Sequence, residues 1–225
     1  MTFWQISFFL MIPVMIFAGY AQRKISRTYK QYSQVPARRG ISGEMVARNL
    51  LTDNGITDVS IERTKGNLTD HYDPRNKVLR LSTGVAQGQS IAAIGVAAHE
   101  IGHAVQHNQR NFLLAFRNRF APIAQIGSSM AIPLVLAGYF IGFIGLAKFG
   151  VILFGLVVFF QLITVPVEKD ASRRALLMLQ NGGYLDETEL VGAKRVLDAA
   201  ALTYIASLLV AIAQLFRLMA LTRDD

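Results

Sequence analysis

The sequence predicts a mainly α-helical membrane protein with four spans and a small α+β subdomain between them. Of the 225 residues, 52% are hydrophobic, a larger share than soluble globular domains usually carry. Four stretches lack any charged residue and reach the length of about 17 to 25 residues that a membrane-crossing helix needs. These stretches are 2–22, 121–147, 149–167 and 199–216.

The basic residues predict how these spans are oriented. Lys and Arg number 23 against 15 Asp and Glu, a formal net charge of +8, and only Lys148, Arg217 and Arg223 lie outside the segments 23–119 and 168–198. Because cytoplasmic loops are enriched in Lys and Arg, both segments are expected in the cytoplasm, with the protein in the cell's inner membrane. Nucleic-acid binding is not expected, since the basic residues follow the membrane topology and lie among few stacking aromatics.

The predicted organisation follows the chain. The first span is expected to be a retained anchor, because no basic residue precedes its apolar run and several follow it. The predicted segments are an anchor at 1–22, a cytoplasmic subdomain at 23–119, a transmembrane hairpin joined through Lys148 at 120–167, a second cytoplasmic segment at 168–198, and a transmembrane helix with a tail at 199–225.

Within the polar segments, caps and turns predict short elements. Ser42 can begin a helix that runs to about Asn54, before Gly55. Two short strands are expected, one around residues 59–61 and a second at 78–81, whose edge could hold an extended peptide. Asp186 and Glu189 have the spacing of a capping box, which predicts a helix continuing into the last span.

A metal-site motif lies in the segment 90–107, which is helix-favouring, almost wholly apolar and therefore expected to be buried. The motif is His99-Glu100-Ile101-Gly102-His103. Two histidines four apart on a helix can bind one zinc ion, and Glu100 is placed to accept a proton from water. Chance gives about 0.002 such matches in a chain of this composition. The chain has no cysteine, so its metal ligands must be His and carboxylate.

A zinc site of this type needs a third protein ligand, and two candidates can be compared. His107 lies eight residues after His99, about 12 Å along a helix, which is too far for all three histidines to share one ion. Glu168 ends the third uncharged span, and the return of the span hairpin would bring it back to the level of the zinc helix. The expected ligands are therefore His99, His103 and Glu168, a gluzincin-like set in a zincin-like subdomain.

The remaining histidine, His71, adjoins Tyr72 in a segment with carboxylates on both sides. Asp73-Pro74 alone predicts only a turn. The pair His71 and Tyr72 could donate hydrogen bonds to an oxyanion, or His71 could orient a zinc-bound histidine, so both are candidate catalytic residues.

Several segments together resemble the YugP-like family of bacterial membrane zinc metallopeptidases. The resemblance covers most of the chain and rests on residues 68–74, 97–106, 166–168, 170–175 and 199–204. It implies a membrane zinc peptidase of the HExxH type and leaves the substrate open. Lys169 departs from the pattern, since the family usually has Phe after the glutamate.

More distantly, the segment after Glu168 is similar to the Glu-x-x-Ala-Asp motif of the HtpX and CAAX prenyl protease families. Ala171 matches that motif, but Ser172 replaces its Asp. The carboxylate that supports a zinc ligand could therefore be Asp170, Asp70 or Asp73.

The sequence thus predicts a zinc-dependent endopeptidase at the inner bilayer surface, acting on a polypeptide that is itself membrane-associated. Zinc and the lipid bilayer are the expected cofactor and surroundings. The alternative is a non-catalytic membrane scaffold with a structural zinc site, which a fourth ligand from His71 or Asp70 would favour.

Overall fold

The computed structural model describes residues 3–222, and the side chains of residues 8–222. Within this range the chain is mainly helical and includes a small sheet. In chain order the elements are α1 (Phe3–Ser33), α2 (Gly43–Asp53), β1 (Ser60–Thr64), β2 (His71–Asp73), β3 (Val78–Ser82), α3 (Thr83–Ala86), α4 (Ile91–Asn108), α5 (Phe112–Phe140), α6 (Ile144–Asn181) and α7 (Glu187–Leu221).

The helix ends lie where the capping residues predicted them. The Ser42 hydroxyl accepts the Met45 N–H at 3.3 Å, and α2 ends before Gly55, whose φ of +67° suits glycine. At the start of α7, Asp186 Oδ1 accepts the Glu189 N–H and Glu189 Oε2 accepts the Asp186 N–H, both at 2.9 Å. This reciprocal pair is a complete capping box, and its helix continues to Leu221 as predicted.

The sheet has the order β1-β3-β2, with β1 parallel and β2 antiparallel to β3. The expectation that residues 78–81 offer a free edge is therefore wrong. The chain reverses between Asp73 and Val78, so β2 returns alongside β3 and covers the edge that a peptide would need. The outer strands of this sheet are β1 and β2.

One compact unit combines the two polar parts of the chain, Arg23–Leu114 and Val167–Ala201. Leu79 and Leu81 of β3 share a buried core with Ile94 and Ile101 of α4, and all four are fully buried. The first residues of α4 are held by Ser90, whose hydroxyl accepts the Ala93 N–H at 3.2 Å. The apolar faces of α4 therefore fix its position in this unit, and with it the position of the motif residues that the helix carries.

The other compact unit contains Met1–Gln22, Ala115–Pro166 and Leu202–Asp225. Among the described residues, four helices, α1, α5, α6 and α7, are long and apolar enough to cross a membrane, as predicted. A Cβ on Gly127, Gly138 or Gly150 would lie within 3.0 Å of backbone across the contact between α5 and α6, so these two helices approach closely.

The turn between α5 and α6 differs from the prediction. Lys148 does not join the two spans, because α5 ends at Phe140 and α6 begins at Ile144. Gly142, with a φ of +71°, reverses the chain, and the Phe143 N–H bonds back to the Gly138 carbonyl at 2.8 Å. Lys148 therefore lies in the second turn of α6.

Candidate metal centre

Two helices of the polar unit bring together a cluster of three potential ligands. His99 and His103 lie one turn apart on α4, with ring centroids 4.9 Å apart, and Glu168 lies on α6. Glu168 Oε2 is 3.3 Å from His99 Nε2 and 3.5 Å from His103 Nε2. One donor atom from each residue lies within 4.8 Å of the others.

These distances fit a tetrahedral zinc ion. Zn–N and Zn–O bonds of about 2.0 to 2.2 Å place neighbouring donors of a tetrahedron about 3.3 to 3.6 Å apart. Both measured nitrogen–oxygen distances fall in that interval. Glu168 is only 2% exposed, and a buried carboxylate requires a partner that compensates its charge. Two imidazoles and a carboxylate form a donor set that zinc commonly uses.

Gln106 determines which nitrogen of His103 faces Glu168. The fully buried Gln106 amide donates from Nε2 to the Val167 carbonyl at 3.0 Å and to Asp170 Oδ2 at 2.8 Å. Its Oε1 therefore faces His103 Nδ1, at 3.0 Å, and can only accept a hydrogen bond. His103 then carries its proton on Nδ1, which leaves the Nε2 lone pair directed towards the cluster.

Asp170 supports this arrangement from α6. Its Oδ2 also accepts from Arg174 Nε at 2.6 Å, and its Oδ1 accepts from Arg173 at 2.6 Å. Two arginines thus hold the carboxylate that orients the Gln106 amide. Of the three carboxylates that the sequence left open, Asp170 is the one connected to a potential ligand, and the connection runs through Gln106.

His99 is supported by a hydroxyl. Ser172 Oγ lies 3.1 Å from His99 Nδ1, on the opposite side of the ring from Glu168. Ser172 occupies the position at which the distantly similar motif has Asp. In this chain a hydroxyl rather than a carboxylate therefore makes the polar contact to the ring nitrogen.

Glu100 is held by the backbone of β2. The Tyr72 N–H donates to Glu100 Oε2 at 3.0 Å, and Glu100 is 8% exposed. The Tyr72 hydroxyl lies 2.8 Å from Nδ1 of His107, which stands in the last turn of α4. Burial, together with the Asp58 and Asp73 carboxylates, raises the pKa of Tyr72 to about 12. Its hydroxyl is therefore protonated at neutral pH.

The structure does not bring His71 to the cluster. His71 Nδ1 lies 2.8 Å from the Thr69 carbonyl, its Nε2 lies 3.5 Å from Arg80, and its side chain is exposed. The catalytic role suggested for His71 stays a prediction. Lys169 is likewise exposed.

The other two carboxylates stabilise the loop structure near β2. Asp70 accepts the Ser82 N–H at 2.7 Å and the Ser82 hydroxyl at 3.0 Å, while burial raises the pKa of Asp70. The Asn76 side chain, aided by two backbone N–H groups, lowers the pKa of Asp73 to about 2 despite some desolvation. Both side chains thus position β2.

Close packing of α4 against α6 allows the cluster to form. A Cβ on Gly102 would lie 2.5 Å from the Ala171 carbonyl oxygen. Only glycine permits this approach at position 102. Gly102 directly precedes His103, and Ala171 follows Glu168 by three residues, so this contact lies beside two potential ligands.

The supporting roles of Gln106 and Ser172 were not predicted from the sequence. A signal for Gln106 existed, because it is a polar residue on a helix expected to be buried, three residues after His103. A buried amide needs hydrogen-bond partners, but the sequence does not say which partners the fold supplies.

The fold and the cluster together define a helical protein with four candidate membrane spans and a candidate zinc site of two histidines and a glutamate. A family model described as "Putative neutral zinc metallopeptidase" matches residues 7–223. The chain belongs to this family, as the resemblance of its motifs predicted.

A relative in Bacillus subtilis (strain 168) is named "Putative membrane protease YugP". It is 44% identical to this chain over 209 residues, which are 93% of each protein. No solved structure matches the chain.

Proposed function

We propose that this protein is a membrane-embedded, zinc-dependent endopeptidase that hydrolyses peptide bonds of membrane or membrane-proximal proteins. The observation that carries the proposal is the convergence of His99, His103 and Glu168 within 4.8 Å, with Glu100 adjacent to the first histidine. The family membership and the name of the Bacillus relative support a peptidase rather than another zinc hydrolase.

His99 and His103 would hold zinc through Nε2, and Glu168 would hold it through Oε2. When bound, zinc supplies Lewis-acid chemistry that polarises the scissile carbonyl and makes a water molecule more acidic. The described cluster has three members, which matches catalytic zinc sites that keep a fourth position open.

Glu100 acts as the general base. Its Oε2 accepts the Tyr72 N–H, so Oε1 is the oxygen that takes the proton from water. Glu100 then passes this proton to the leaving amine, which completes hydrolysis without a net change in its own protonation. The hydrogen bond from β2 keeps the carboxylate in one orientation throughout.

Tyr72 is proposed as the donor that stabilises the oxyanion of the attacked carbonyl. Its hydroxyl remains protonated at neutral pH because its pKa is raised to about 12, and the backbone N–H of the same residue donates to Glu100. To donate to substrate, the hydroxyl must exchange its contact with His107 Nδ1 for the oxyanion.

The protein is proposed to reside in the inner membrane, with the catalytic site on the cytoplasmic side. This proposal rests on the distribution of basic residues, twenty of which lie in the two polar segments. If all four candidate spans cross the bilayer, both polar segments lie on the same side.

A non-catalytic scaffold with structural zinc is the alternative. Such a site would normally be closed by four protein ligands. Within the described chain, however, Asp70 is engaged by Ser82 and His71 lies by the Thr69 carbonyl, so neither adds a fourth ligand. A group of three potential ligands supports catalysis over a structural site.

Glu100→Gln tests the proposal. Removing the general base should lower peptide hydrolysis by at least about a hundredfold, because such groups contribute about 10²- to 10⁴-fold. Zinc content should remain one per chain, since Glu100 is not a ligand. Zinc and cleavage of a membrane-protein substrate mixture are measured on the same purified preparation. Undiminished hydrolysis by the zinc-loaded variant would contradict the mechanism.

A further inference from the structure

The unit that contains the candidate spans has a polar groove that the proposed chemistry does not use. The groove has a volume of about 560 Å³ and lies among α1, α5, α6 and α7. Its polar lining residues are Gln22, Ser128, Gln161, Thr203, Ser207 and Gln214. All lining residues are uncharged, and apolar side chains such as Phe154 and Val157 complete the walls.

The groove follows one face of α7. The α7 residues that line it run from Thr203 to Gln214 at intervals of three and one, which is the spacing of a single helical face. Eleven residues of helix span about 16 Å. The groove is therefore elongated along the direction in which α7 would cross the bilayer.

Two glutamine amides in the groove lack protein partners. Among the described residues, the side chains of Gln161 and Gln214 form no hydrogen bond to any other group. Both lie within the uncharged stretches that are long enough to span a membrane. An amide exposed to hydrocarbon without a partner is costly, and a ligand with both donors and acceptors would satisfy these side chains.

We infer that the groove binds an unwound, uncharged segment of a polypeptide at bilayer depth. A side-chain amide has one acceptor and two donor hydrogens, which complement the C=O and N–H groups of a peptide bond. A regular helix satisfies its own backbone C=O and N–H groups and would leave the glutamines unpaired. An extended segment presents free backbone C=O and N–H groups to them. About five extended residues would match the length of the groove.

The lining disfavours lipid as the occupant on chemical grounds. A lipid phosphate would require a cation, and the lining has none. An acyl chain offers no donor or acceptor to the glutamines. The inference rests on the proposed function in one respect: if the protein is a peptidase, the bound polypeptide is its substrate.

Cysteine cross-linking provides the test, because the natural chain has no cysteine. The full-length Glu100→Gln protein in nanodiscs receives one cysteine, at Ser207 in the groove or at Leu209 as the matched control. Leu209 lies on the same helix two residues away, is 38% exposed, and does not line the groove. The probe is a synthetic single-span Leu/Ala peptide with a central Gly-Pro-Gly break and one adjacent cysteine. A second peptide lacks the break.

With copper phenanthroline added as the oxidant, the interrupted peptide should form a disulfide with Ser207→Cys at least about tenfold faster than with Leu209→Cys, and the uninterrupted peptide should show no such preference. Adding Gln161→Leu and Gln214→Leu should slow the reaction about three- to tenfold, as expected for lost hydrogen bonds. Thermal stability and zinc content should not fall, because these changes remove unpaired polar groups and leave the cluster intact.

Equal rates at the two cysteines, or equal rates with the two peptides, would overturn the inference. An unchanged rate in the double leucine variant would assign the glutamines to water or lipid and would also overturn it. The cross-linking protein lacks Glu100, so its result does not depend on hydrolysis. If the cross-linking occurs as expected but the unaltered protein hydrolyses no peptide, the proposed peptidase function is refuted and the groove inference is not.

Discussion

The Gln106 amide links a potential zinc ligand to the helix that carries another. It accepts from His103 on α4 and donates to Val167 and Asp170 on α6. The same three hydrogen bonds set the tautomer of His103 and fix the position of α4 relative to α6. Ring orientation and helix position therefore depend on one uncharged side chain.

Gln106→Met tests this role with little change in volume. The variant should bind zinc about 10- to 100-fold more weakly, the usual effect of removing a partner behind a metal-bound histidine. Gln109→Met is the matched control, since Gln109 accepts from Arg174 at the exposed end of α4. Its zinc affinity, measured by competition with a chelator, should be nearly unchanged. Equal zinc affinities for the two variants would show that Gln106 does not support the candidate zinc site.

Individual residues differ in how far sequence alone could assign them. His99, Glu100 and His103 follow from the spacing of one motif on one helix. Ser172 and Gln106 could not be assigned, because their partners lie on another helix, 73 and 61 to 64 residues away in sequence. Contacts across such separations depend on packing rather than on local pattern.

At the level of elements, the candidate metal centre depends on how closely α4 approaches α6. Gly102 permits a backbone contact that a methyl group would block, since its Cβ would lie 2.5 Å from the Ala171 carbonyl. Gly95 lies on the same helix, and a Cβ there would meet its nearest atom, on Ala193, at an ordinary 3.5 Å.

Gly102→Ala should therefore reduce the free energy of unfolding by about 1 to 3 kcal/mol, the usual cost of overpacking. It should also weaken zinc binding, because the displaced α6 carries Glu168. Gly95→Ala should be neutral or stabilise the protein by up to about 1 kcal/mol through helix propensity. Thermal unfolding and zinc titration of both variants check the prediction. A tolerated Gly102→Ala would show that the contact does not position the ligands.

The proposed third ligand, Glu168 on α6, leads to another prediction at the level of elements. Glu168→Ala should reduce zinc affinity more than about 100-fold, because even residues behind a ligand contribute about 10- to 100-fold. His107→Ala should change it little, since His107 Nδ1 contacts the Tyr72 hydroxyl rather than the cluster. Metal titrations measure the zinc affinity of both variants. A larger loss of affinity in His107→Ala than in Glu168→Ala would overturn the proposed ligand set.

The elements themselves were predicted to different degrees. Helix starts at Ser42 and Asp186 follow from side chains that bond to their own helix, so local sequence is sufficient. Strand order is not local, and the central position of β3 was therefore missed. The turn at Gly142 was missed because hydrophobicity and charge marked Lys148, although backbone conformation ends the helix earlier.

At the scale of the whole molecule, the candidate site combines residues from two polar segments that are separated in sequence by candidate spans. The histidines belong to Arg23–Leu114 and the glutamate to Val167–Ala201, and these parts form one compact unit. Both must therefore reach the same side of the membrane. An even number of spans between successive polar segments would satisfy this requirement, and α5 with α6 forms a pair of candidate spans.

The proposed sidedness can be tested directly, since any cysteine introduced is unique in the chain. The dense basic group that follows the first uncharged stretch predicts that the polar unit stays in the cytoplasm, because such groups are rarely translocated. A membrane-impermeant thiol reagent applied to intact cells should therefore label Ile141→Cys, in the exposed turn between α5 and α6. It should not label Asn67→Cys or Asn181→Cys, both at exposed positions of the polar unit, until the cells are permeabilised. The opposite labelling pattern would place the candidate metal centre on the outer face and direct the search for substrates there.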